Sequence, residues 1–111
     1  MLDLKKLKAL ELPKREITVE ILGDEQKLEV QAFGDDISLD ISDIMEHNPN
    51  DSEKISRLHL LTSCAGLSED DAKCLLKNDG KAASSIIGEI FALTEEFDRE
   101  REKLRKQAEK N

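Results

Sequence analysis

The chain has no tryptophan and no tyrosine, and only three phenylalanines. Its core must therefore be built from Leu, Ile, Ala and Val, under a heavily charged surface. Cysteine is almost as scarce. Cys64 and Cys74 lie ten apart, without the Cys-x-x-Cys spacing of redox or zinc motifs. Each falls in an apolar helical pattern and is expected to pack inward as a small reduced hydrophobe. The five glycines are scattered, so no phosphate-cradling loop forms. No apolar run approaches the roughly 18 residues of a membrane span, and no charged-then-apolar signal opens the sequence. A soluble, unexported protein is the expectation.

What is present is charge. Charged residues make up 38% of the 111 positions, matching the hydrophobic fraction, and the net charge is −8. It is unevenly spread: +2 over residues 1–16, −11 over 17–71 and +1 over 72–111. Such a chain repels a polyanion, so nucleic acid is not the expected partner. The length suits one domain with a single core.

Hydrophobic patterning divides that domain. Residues 2–12, with Leu4, Leu7 and Leu10, read as a short amphipathic helix ended by Pro13, either docked or mobile. A basic helix can lie on a membrane, but this one is short and lacks an aromatic anchor, so no membrane partner is expected. Alternating β-branched runs at 17–22 and 27–33 flank Gly23-Asp24-Glu25-Gln26 and predict a hairpin with a four-residue loop. Ile37-Ser38-Leu39-Asp40-Ile41 keeps the alternation and predicts a third short strand, and residues 42–50 run into a loop.

From Asp51 the period lengthens to that of a helix, stopped by Gly66. Ser68 then caps a second helix with acids in its first turn, on which Cys74 and Leu75 are expected to face inward. A last helix over about 81–106 carries a broad stripe: Ala83, Ile86, Ile87, Ile90, Phe91, Leu93, Thr94 and Phe97. From Asp98 the stripe fails. The tail is expected to fray as an exposed extension, supported weakly by Glu95–Arg99 and Glu102–Lys106. The whole is an α+β domain: an N-terminal lead-in over 1–16, a small antiparallel β element over 17–41, a helical core over 51–97 and a charged tail over 98–111.

Chemistry is hard to find. His47 and His59 are the only histidines, and His59, Cys64 and Cys74 lack the one-turn spacings and second ligand pair of a zinc site. Asp35, Asp36, Asp40 and Asp43 lack the central Gly and terminal Glu of an EF-hand. The paired carboxylates fall in turns, a helix start and a solvated tail, whereas a catalytic pair needs burial. Neither thiol has the base or oxyanion turn of a nucleophile. No catalytic residue, cofactor or metal is expected, and what remains is a surface for binding protein.

Two segments carry a resemblance. One is Leu58-His59-Leu60-Leu61-Thr62-Ser63-Cys64-Ala65-Gly66-Leu67-Ser68-Glu69-Asp70-Asp71, a Leu-rich helix, a turn and an acidic helix start. The other is Ala83-Ser84-Ser85-Ile86-Ile87-Gly88-Glu89-Ile90-Phe91-Ala92-Leu93-Thr94, with Thr94 where the family often has Asn. With the strands Thr18-Val19-Glu20-Ile21-Leu22 before them, they resemble the tail assembly chaperones of long-tailed, siphovirus-type bacteriophages over about residues 14–97. The resemblance rests on patterns of size and polarity. It implies an oligomeric chaperone of the host cytoplasm, absent from the finished virion, that coats the tape measure protein and keeps it soluble. A longer frameshifted form recruits the major tail protein. Most of the last helix's stripe is expected in the core, with an edge formed by Ile90, Phe91, Leu93 and Phe97 left for the partner. The alternative is an acidic nucleic-acid mimic that inhibits a host enzyme through Asp24, Glu25, Asp35, Asp36, Asp40 and Asp43.

The family's longer product arises by a one-base backward slip of the ribosome. Glu109-Lys110-Asn111 can be encoded GAA-AAA-AAC, which holds the slippery heptamer A-AAA-AAC in phase. Sequencing the gene tests this: the heptamer and an overlapping open frame are expected, and codons there that cannot re-pair contradict it.

Overall fold

The computed structural model describes residues 4–109, so Lys110 and Asn111 lie outside the described residues, as does the start of the predicted first helix. Helix α1 is the single turn and a half Lys5–Ala9, and it leaves Leu4 and Leu7 exposed. Strands β1 (Lys14–Ile21) and β2 (Asp24–Gln31) pair antiparallel, with Ile17 opposite Leu28 and Ile21 opposite Asp24. The loop between them is two residues, not four. Leu22 and Gly23 both take positive φ, 50° and 88°, the geometry of the tight turn whose twist matches a hairpin. Asp24 to Gln26, read as turn residues from their polarity, belong to the ladder.

The predicted third strand is a helix. Residues 37–41 lie in α2 (Asp35–His47). Ile37 and Ile41 satisfy a strand's alternation with Leu39, but with Ile44 they also satisfy i, i+4, i+7. Short apolar runs do not distinguish the two periods. Asp35 and Asp36 stand in the first turn, where the helix dipole favours acids, and that decides it.

Helix α3 (Ser52–Cys64) ends where Gly66 turns left-handed at φ 68°, and Leu67 N–H reaches back to the Leu61 carbonyl at 3.4 Å. Helix α4 (Glu69–Asn78) begins at Ser68, whose Oγ accepts the Asp71 N–H at 3.1 Å. Asp79 alone separates α4 from α5 (Gly80–Glu109), whose 30 residues span about 45 Å.

The core lies around α5. One side of it meets the inward face of the hairpin, Ile17, Val19 and Val30, and other sides meet Leu60, Leu61 and Cys64 of α3 and Ala72 and Leu75 of α4. Among the described residues the architecture is α+β, a two-stranded hairpin with five helices. The hairpin is fastened to α5 at three heights. Asp79 Oδ2 accepts the Leu22 N–H at 2.9 Å while its Oδ1 accepts the Ala82 N–H at 3.1 Å, so one carboxylate pins the turn and caps α5. Thr94 Oγ1, buried, accepts the Phe33 N–H at 3.1 Å and donates to the Ile90 carbonyl at 2.8 Å. Arg15 pairs with Glu96 at 2.8 Å.

The tail is the exposed helical extension expected. It is helical to Glu109, and Arg101 ties it down. The guanidinium lies 4.7 Å from the Phe97 ring centroid and pairs with Asp98 and, at 3.1 Å, with Asp35 of α2. The ion pairs along the tail are at i, i+3, Asp98–Arg101 and Glu102–Arg105, rather than the i, i+4 pairs read from the sequence.

Two variants test the fastening. Thr94→Val leaves the Phe33 N–H buried without an acceptor and is expected to lose about 1–3 kcal/mol in denaturant unfolding. The two backbone donors at Asp79 hold its pKa below the ordinary 3.8. A carboxylate depressed by folding stabilises the fold above its unfolded value, and that increment disappears as pH falls through the folded one. Asp79→Ala is therefore less stable than wild type near neutral pH, and the gap closes on acidification below 3.8.

Candidate functional site

The stripe chosen from the sequence is nearly all interior. Ile90 and Leu93 are 0% and 1% exposed, and Phe97 is buried beneath Arg101. They follow Ile86 at i+4, i+7 and i+11, a line that belongs to the single buried core cluster. A partner cannot reach them while the domain is folded. Phe91 is the exception. It is 46% exposed and rests edge-on against Phe33, with ring centroids 5.4 Å apart.

The accessible apolar surface lies elsewhere. Where the hairpin tip overhangs α4, an open groove of about 530 Å³ runs between Ile21, Leu22 and Leu28 on one wall and Leu67, Cys74 and Leu75 on the other. Its base reaches Ile86 of α5, and Lys27, Asp71 and Asp79 are among its polar residues. Leu22 forms its lip. A bulky aliphatic residue is costly at φ 50°, a position that Asn, Asp or Gly takes more easily. Leu22 gains no burial in return, since it is 73% exposed. Backbone strain of this kind persists only where neighbours enforce it, and the Leu22 N–H bond to Asp79 does so here. The groove thus presents a fixed, strained, exposed Leu beside half-buried apolar walls.

Several of the polar candidates are engaged within the fold. His59 Nε2 lies 3.0 Å from Asp40 Oδ2, joining α3 to α2, and His47 Nδ1 lies 2.9 Å from the Asp43 carbonyl. Asp35 is held by Arg101. Two of the six acids of the mimic reading, Asp35 and Asp40, are therefore engaged within the fold. Among the described residues no group of three or more His, Cys, Asp or Glu is placed to hold a metal ion, and no helix is long and apolar enough to cross a membrane.

Sequence reasoning missed the groove because its walls are some fifty residues apart and are joined by the Leu22–Asp79 hydrogen bond. The one local signal was Leu22 before Gly23, where a two-residue turn favours Asn or Asp.

The two thiols part company. Cys64 is buried as expected, and burial, reinforced by the charge of Asp36, pushes its thiol up to about 11. Cys74 is exposed on the groove wall, contrary to the inward packing expected for it, because the buried line of α4 runs through Ala72 and Leu75. Iodoacetamide at neutral pH is therefore expected to alkylate Cys74 alone in the folded protein. Cys64 follows only on denaturation, as peptide mass mapping reads directly. Comparison of the chain with protein-family models, with curated proteins and with solved structures gives no match.

Proposed function

We propose that the chain is a holding chaperone of the phage tail-assembly kind. In this reading it binds apolar helical segments of the tape measure protein, keeps that protein soluble in the host cytoplasm, and through a longer form helps recruit the major tail protein. The single observation that carries the reading is Leu22, a strained and exposed aliphatic residue at the lip of an apolar groove. Such a residue contributes nothing to the domain's own core, whereas a client helix laid into the groove covers it. Burying the Leu22 side chain contributes about 1.5–3 kcal/mol, enough to matter and weak enough to reverse. The resemblance over residues 14–97 supplies the client's identity, and the groove supplies a physical means of holding it.

Co-expression with the tape measure protein tests this. Wild-type chain is expected to keep the client soluble, and Leu22→Asp to lose that effect while its thermal midpoint holds, because the side chain is outside the core. A bulky maleimide on Cys74 should block the groove likewise. A Leu22→Asp variant that solubilises the client as well as wild type overturns the reading. So does a capture that collapses when salt is raised, since an apolar contact tolerates screening and an acidic mimic's contact does not.

A further inference from the structure

Helix α2 is 13 residues long and buries none of them fully. Ile37, Ile41 and Ile44 lie half-buried on the side that meets α3. Leu39 is 66% exposed on the opposite side. Its helical neighbours one turn away are Asp35, Asp36, Ser42 and Asp43, and Glu46 continues that face. The helix holds five acids and no Lys or Arg. Its outer face is an aliphatic knob ringed by negative charge.

The complement stands elsewhere on the same molecule. Between the first half of α3 and the second half of α4 lies an open groove of about 890 Å³, with Leu58 and Leu76 in it. Lys54, Arg57, Lys73 and Lys77 line its rim. Only three basic residues occur between positions 17 and 71, and two of them, Lys54 and Arg57, are here. Arg57 is paired with Glu53 at 2.7 Å and Lys73 with Glu69 at 3.0 Å, both exposed i, i+4 contacts. Such pairs contribute only a few tenths of a kcal/mol, and an incoming carboxylate readily replaces them. Among the described residues no carboxylate lies within ion-pair distance of Lys54 or Lys77. Asp51 and Glu53 also line the groove, so four basic side chains outweigh two acids there, and the aliphatic socket has a net positive lining on a chain of net charge −8.

We propose that a second copy of this chain docks the outer face of its α2 into the α3–α4 groove, Leu39 between Leu58 and Leu76, with Asp43 and Glu46 against the basic rim. The helix cannot fill the groove of its own chain, because Ile37, Ile41 and Ile44 fix its other side on α3. Knob and socket are different residues, so the contact is head-to-tail. Unless its rotation closes a ring, it leaves a free knob at one end and a free socket at the other, and copies add in a row. This inference does not rest on the chaperone reading, since the client groove lies on the other side of α4 and takes no part.

Sedimentation velocity of the whole chain over a concentration series tests it, in low and high salt. Wild type is expected to form a growing series of species at low salt that shifts toward monomer as salt screens the rim. The socket variant Lys54→Glu/Lys77→Glu and the knob variant Asp43→Lys/Glu46→Lys should each weaken association by roughly tenfold or more, since like charges then face each other. Mixing the two should restore it, because every contact between unlike copies is again between opposite charges. Circular dichroism of each variant keeps misfolding separate, and a misfolded variant would not be rescued by the other. Wild type that sediments as monomer throughout overturns the proposal, and so does an equimolar mixture of folded variants that stays monomeric. A wild-type dimer that both variants leave intact overturns it as well, since that contact would be made elsewhere.

Discussion

A two-stranded hairpin does not stand alone in water: it has one apolar face, two open edges and too little area to hold its shape. Here that face, Ile17, Val19 and Val30, is buried only because α5 lies beneath it. The rest of the molecule follows from this need. Helix α5 must present apolar side chains on a wide arc, since α3 and α4 claim its other sides, and Ala82, Ala83, Ile86, Ile87, Ile90 and Leu93 provide that arc. Pinning at Asp79, Thr94 and Glu96 then fixes where the hairpin lies along the helix. With the tip anchored at the α4–α5 junction, Leu22 has one place to be, above α4, and the groove exists as a consequence of that anchoring.

Helix α2 is the counterpoint. The core does not need it, for it buries no residue fully and is held by three half-buried isoleucines, the His59–Asp40 contact and the reach of Arg101 to Asp35. Elements retained with so little burial sit at the low-stability end of a fold, where binding surfaces are commonly drawn from. This helix carries five acids and no Lys or Arg, while the groove lined by Lys54, Arg57, Lys73 and Lys77 lies on α3 and α4. The net charge of −8 therefore conceals two faces of opposite sign. A sum over residues gives one sign, and only the fold separates the acidic helix from the basic groove.

The sequence was legible where one period or one capping residue decided the matter. Ser68 and Gly66 marked helix ends that the structure places there, and the 3.6 period from Ile55 to Phe97 located three helices. It was not legible where two periods fit equally, as at Ile37, Leu39 and Ile41. Nor could it say which part of a stripe is core. Ile90 and Phe91 are adjacent and both apolar, yet one is fully buried and the other is half exposed, resting against Phe33. Cys74 and Leu75 divide in the same way. Such distinctions depend on what packs from outside the helix, and no local pattern records that. The groove behind Leu22 is wholly of this kind.

The central claim is that a client is held between the hairpin tip and α4. Hydrogen–deuterium exchange of the chain alone and with a soluble tape measure fragment tests it most directly. The account predicts added protection confined to the turn and its flanks at 20–28 and to 67–79, where the groove walls lie. Protection that leaves these segments unchanged while the fragment is bound would contradict it.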